Sequence, residues 1–141
     1  MAPPTLHRGT VFRAEHDNTY EFWGSGAPRS KYGVVFNAAP VAGESNEEVL
    51  YFLCTSKVSK LREKPAVLSD VMILPAGEYT FFPDETAIDC RSLCAVPLAK
   101  LVQHHMKIVG ELTPAHIRQC EETVAKARIL EFRAKKLLGL R

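Results

Sequence analysis

Apolar residues in this chain gather in short runs, and clusters of turn formers separate the runs. The densest run is Leu50-Tyr51-Phe52-Leu53-Cys54, followed at once by Thr55, Ser56 and Lys57. An apolar run of this length without alternation predicts a strand buried on both faces. Arg8–Arg13 reads as a turn entering a first strand, and Gly33–Asn37 as a second. Between them, residues 15–33 are rich in Gly, Ser, Asn, Asp and Pro and predict a long loop. Positions 38–46 predict another loop. Lys57–Lys64 fits one helical turn with Val58 and Leu61 inward, stopped by Pro65. Asp70–Leu74 predicts a strand, Tyr79–Pro83 a short extended piece, and Thr86–Cys90 an alternating strand. Cys94–Val96 adds another. Pro97 then opens a short helix with Leu98, Leu101 and Val102 on its apolar side. Lys107–Glu111 is the last strand.

Thr113 before Pro114 is a strong helix start, a capping hydroxyl followed by proline at the first helical position. Ile117, Cys120, Val124 and Ala127 share one face, and the helix is expected over about 114–130. Leu137 and Leu138 carry apolar character into the tail, and Gly139 ends it. Six or seven short strands followed by a helix, with no βαβ rhythm, predict a mainly β single domain over 1–141. The expected form is a small antiparallel barrel with a C-terminal helix packed on it.

Composition changes this picture little. The 141 residues are 46% hydrophobic and 24% charged, which excludes a disordered chain. No apolar run approaches the ~20 residues that span a bilayer, so no membrane partner is expected. Met1-Ala2-Pro3-Pro4 lacks the charged and apolar regions of a leader, so a cytoplasmic protein is expected. Cys90 and Cys94 have no second ligand pair at comparable spacing, and His104 and His105 are adjacent. Free thiols rather than a metal site are expected, with no cofactor. The net charge of +2 does not by itself mark a nucleic-acid binder. The tail is locally basic, with Arg128, Arg133, Lys135, Lys136 and Arg141 against Glu131. It suits either a phosphate backbone or acidic partner, or a solvated helix face.

Candidate chemistry lies at two places. A rigid strand ending in Thr55, Ser56 and Lys57 can present donors and a cation to a phosphate. The same hydroxyls can instead cap a turn. The long loop carries Tyr20, Phe22 and Trp23 near Arg29 and Lys31. Those aromatic rings can stack on bases while the cations hold phosphate, or can pin the loop to the core.

Five pieces in order resemble the PemK/MazF family of type II toxin–antitoxin toxins. They are Arg8-Gly9-Thr10-Val11-Phe12, Lys31-Tyr32-Gly33-Val34-Val35-Phe36-Asn37, Phe52-Leu53-Cys54-Thr55-Ser56-Lys57, the stretch from Tyr79 to Arg91, and Val109-Gly110-Glu111-Leu112-Thr113. The resemblance covers about residues 8–130. It implies an SH3-like barrel of the CcdB/PemK type, a homodimer, and a metal-independent endoribonuclease acting on single-stranded RNA in the cytoplasm. It also implies a growth-inhibiting toxin neutralised by an antitoxin protein.

The family's Arg before the second core strand maps onto Lys31, and its Ser/Thr at the next strand end onto Thr55 and Ser56. The chain departs from the family where Lys31-Tyr32 replaces Arg-Pro, and where Gly24-Ser25-Gly26 replaces a Gly-x-Glu pattern. In such a mechanism the substrate's 2′-hydroxyl attacks the phosphorus. The protein removes its proton, stabilises charge and protonates the leaving oxygen. Lys31, Arg29, Thr55 and Ser56 are the catalytic candidates. Lys57, Arg91, Trp23 and Tyr20 are the RNA-binding candidates. Lys31, if burial or nearby cations lower its pKa, and His16 as a substitute are the candidates for the base. The competing reading is an inactive barrel that binds RNA or a protein partner without cutting, or one with a purely structural role.

Overall fold

A computed structural model of the chain describes residues 6–16, 29–36, 48–91 and 93–127. Expectations for the loop over 17–28, for Asn37 and the 38–46 loop, and for the chain from Arg128 onward lie outside the described residues. Seven strands form one antiparallel sheet in the order β4-β5-β3-β2-β1-β7, with β6 also pairing β3. The strands are β1 (Thr10–His16), β2 (Arg29–Val35), β3 (Glu48–Thr55), β4 (Val71–Leu74), β5 (Thr86–Asp89), β6 (Cys94–Pro97) and β7 (Lys107–Glu111). The helices are α1 (Val58–Arg62), α2 (Pro65–Leu68), α3 (Leu98–Gln103) and α4 (Pro114–Lys126).

The unbroken apolar run in β3 has a direct cause, since both sides of the sheet are covered. Leu50 and Phe52 enter one core with Val11, Val34 and the α4 residues Cys120 and Val124. Val49 and Tyr51 enter a second core with Phe12, Val35 and the α3 residues Leu98 and Leu101. Alternate residues of one strand thus feed two opposite cores. Gly33 lies where the two neighbouring strands press closest. A Cβ there would fall 2.6 Å from the Phe12 ring and 2.8 Å from the Tyr51 ring. A smaller third core joins Val58 and Leu61 of α1 to Val71 and Ala87.

The expected barrel does not close. Among the described residues β4 and β7 end the main strand order, and no ladder joins them. The turn after β4 spans the gap with side chains instead. Phe81 lies over Gly110 of β7, where a Cβ would sit 2.5 Å from the ring. The Tyr79 hydroxyl accepts the Thr113 N–H at 2.9 Å. Helix α4 packs against β4.

Other expectations are corrected. Residues 15, 16 and 29–33 are not loop, because β1 and β2 form longer hairpin arms pairing His16 with Arg29. Tyr79–Pro83 is not extended. It is a tight turn in which the Phe82 N–H donates to the Tyr79 carbonyl at 3.0 Å. Strand β5 does not alternate, since Thr86, Ala87 and Ile88 are all buried. Val102 faces solvent. Helix α4 ends at Lys126, short of the expected 130. Pro65 stops α1 but also starts α2. The His116 Nδ1 lies 2.6 Å from the Tyr79 hydroxyl. The capping role of Thr113 holds, with its side chain accepting from the His116 N–H at 3.3 Å.

Candidate functional site

Strands β2 and β3 are laddered from Val35–Tyr51 to Gly33–Leu53. Carried two residues further, that register would set Lys31 opposite Thr55. The β2 ladder stops at Leu53, while on its other edge β3 continues with β5, pairing Cys54 with Ile88 and Thr55 with Ala87. Strand β2 stays with β1, and Lys31 pairs with Ala14. The two strands splay, and a cavity of about 610 Å³ opens at this end. Lys31 and Tyr32 form one side, and Leu53 to Lys57 line the end of β3. The turn from Phe81 to Asp84, with Thr86 and Asp89 of β5, forms the opposite side.

The strand end serves both roles open to it. The Thr55 hydroxyl accepts the Lys57 N–H at 3.1 Å, a local turn bond, and still faces the cavity with its own proton to give. Ser56 and Lys57 are exposed, and among the described residues neither side chain has a protein partner.

Across the cavity stands Asp84, also exposed and outside any ion pair among the described residues. Its position is fixed from both sides in sequence. Its carbonyl accepts the Thr86 hydroxyl at 3.0 Å. The next residue, Glu85, is gripped by Arg62 of α1 through two bonds of 2.6 Å. Those bonds hold the Glu85 carboxyl below the usual range. The apolar wall is a linked set of rings. Tyr32 meets Phe82 edge-on at 5.3 Å, and Phe82 meets Phe81 at 4.8 Å.

Arg91 takes a different place from the one the sequence implied. Arg91 lies in the turn that follows β5, before β6 pairs with β3. There the Arg91 guanidinium donates to both oxygens of Asp89, at 2.8 and 2.7 Å. Asp89 faces the cavity and Arg91 is not part of its lining. Arg91 thus offsets the charge of Asp89 rather than presenting a free cation. Cys54 also lines the cavity, and burial pushes its thiol well above the usual range. The Cys90 thiol is also pushed up, first by its hydrogen bond to Cys120 and then by burial. All four cysteines are free thiols.

No protein-family model matches this chain, and no curated protein matches it.

The structure therefore gathers Lys31, Thr55, Ser56 and Lys57 from the candidates named in sequence. It separates Arg91 from them. Tyr20 and Trp23 lie outside the described residues, as do the side chains of Arg29 and His16. The sequence reading missed Tyr32, Phe81, Phe82, Asp84 and Asp89.

Proposed function

We propose that this chain is a PemK/MazF-like endoribonuclease that cuts single-stranded RNA without a metal, and that its sheet is an opened SH3-like barrel of that family. The observation carrying the reading is the splay of β2 from β3, with Lys31, Lys57, the hydroxyls of Thr55 and Ser56, and a carboxylate, Asp84, outside any ion pair among the described residues, all lining one cavity. Charge on a phosphate in the transition state is met by Lys31, by Lys57 and by the hydroxyls of Thr55 and Ser56. Asp84 is added here as an acceptor for the 2′-hydroxyl proton, beside Lys31 from the sequence reading. The rings of Tyr32, Phe81 and Phe82 offer apolar surface to a neighbouring base. The resemblance further assigns this toxin an antitoxin that covers the groove, a cytoplasmic setting and a homodimer.

One observation favours a second reading. Lys31 is a point cation where the family has a guanidinium, and a lysine cannot grip a phosphate with two parallel bonds. On that reading the cavity binds RNA and leaves it whole.

Binding and cutting separate in one titration. Fluorescence anisotropy with a labelled single-stranded RNA in EDTA is expected to show salt-dependent affinity. Lys57→Ala is expected to lower the slope of log K against log salt by about 0.7, the single-strand value for one phosphate contact. An unchanged slope would remove Lys57 from the interface. An all-DNA strand of the same sequence is expected to bind but stay uncut, since it lacks the nucleophile.

A further inference from the structure

Next to the cavity the sheet carries two cations that its own fold leaves unmatched. Arg13 of β1 stands directly opposite Tyr32 of β2 on one side and Lys107 of β7 on the other. Directly opposed residues of an antiparallel sheet share a face, so Tyr32, Arg13 and Lys107 form one row across three strands. The β1–β7 ladder shifts between Val11 and Phe12, and the Arg13–Lys107 pair lies beyond that shift. Both cations are exposed, and neither has a carboxylate partner among the described residues. Glu111, on the same strand as Lys107, pairs instead with His7. Two like charges facing each other across a ladder lower stability, so the pair has a reason to be there other than folding.

The row lies on the face that carries the apolar wall of the cavity. Tyr32 lines the cavity and meets the Phe82 ring, Phe82 meets Phe81, and Phe81 lies over Gly110 of β7. Gly110 pairs with Val11, two residues before Arg13 and so on the same face. The rings thus run from the cavity to β7 on the side where Arg13 and Lys107 stand. The two cations are outside the cavity lining, one and two strand spacings from Tyr32, roughly 5 and 10 Å.

We propose that Arg13 and Lys107 form a second phosphate site, which holds a phosphate flanking the one at the end of β3 while a base lies against the Tyr32, Phe82 and Phe81 rings between them. A phosphate set between the two side chains replaces their repulsion with two charge-assisted contacts. The planar guanidinium of Arg13 supplies the two-pronged grip that Lys31 lacks. The site binds and positions the strand and takes no part in the chemistry. It touches phosphate and not the 2′-hydroxyl, so it holds RNA and DNA strands alike. The inference rests on the reading of the cavity as a site for single-stranded RNA.

The test follows fluorescence anisotropy of a labelled single DNA strand of about 12 nucleotides, which lacks the nucleophile for cutting, from low to high salt. Arg13→Gln/Lys107→Gln is expected to lower the slope of log K against log salt by about 1.4, twice the single-strand value for one phosphate contact. Lys100→Gln, on the helix that covers the other face, is expected to leave the slope unchanged. Lys107→Glu separates a ligand site from a structural pair. It sets a carboxylate opposite Arg13, so the urea midpoint is expected to rise while the strand binds about tenfold more weakly or worse. A slope unchanged in the double glutamine variant would overturn the inference. So would an equal fall in Lys100→Gln, the mark of a diffuse charge effect, or a lowered urea midpoint in Lys107→Glu. Wild-type protein that binds no strand up to about 1 mM would overturn it too, and would point to an acidic protein as the partner of the pair. Cleavage is scored apart from binding. Intact RNA with the expected slopes would sink the ribonuclease reading alone, and cut RNA with an unaltered slope would sink this inference alone.

Discussion

Thr55 shows how one side chain carries two tasks. Its oxygen accepts a backbone N–H and fixes the turn, which holds Ser56 and Lys57 outward over the cavity. Thr55→Ala therefore removes both the turn bond and a donor to substrate, whereas Ser56→Ala removes only a donor. The expected order of damage to RNA cleavage is Thr55→Ala above Ser56→Ala, by about tenfold or more, with stability lowered by ~1 kcal/mol in the first alone. Initial rates and urea melts together check this. Lys31→Ala is expected to lower the cleavage rate by about 10²-fold, the usual loss when one stabilising charge contact is removed. The cysteines give a test free of RNA. The hydrogen bond to Cys120 and burial keep Cys90 protonated at neutral pH, and a protonated thiol is a poor nucleophile. Iodoacetamide at pH 7.5 is expected to leave Cys90 unmodified in the folded protein and to alkylate it in urea. Rapid alkylation of Cys90 in the native state, followed by mass spectrometry, would contradict its enclosure.

Among the elements, Gly33 and the turn after β4 decide how the cavity is held. A methyl group at Gly33 would meet the Phe12 and Tyr51 rings, both fully buried and locked edge-on at 5.0 Å. Gly33→Ala is expected to cost about 1–3 kcal/mol, measured by denaturant unfolding, because neither ring has room to move. Tyr79 anchors the wall turn to the start of α4 through the Thr113 N–H and His116. This scale also shows what the sequence could reveal. Strand β3, the inward Val58 and Leu61, the short helix after Pro97 and the Thr113-Pro114 helix start were all legible, because each rests on local pattern. The turn at Tyr79–Phe82 was not. Its aromatic residues have strand-like composition, and they fold back only because Tyr79 and Phe81 find partners on α4 and β7, far away in sequence. The true ends of the β1–β2 hairpin were hidden for a similar reason. Strand pairing overrides weak local propensity in its polar arms.

At the scale of the whole molecule, an antiparallel sheet covered on both faces positions the site where one central strand runs on beyond its neighbour β2. The sequence named half of the candidate site from the end of that strand. The other half comes from β5 and its preceding turn, and only the topology brings it there. No helix among the described residues is long and apolar enough to cross a membrane. The most direct measurement is incubation of purified protein with a long single-stranded RNA in EDTA, beside a Thr55→Ala/Ser56→Ala double variant shown to be folded. Discrete cuts bearing 2′,3′-cyclic phosphate ends, absent in the double variant, are the expected result. Intact RNA with folded wild-type protein, or cuts that persist unchanged in the double variant, would contradict a ribonuclease centred on the end of β3.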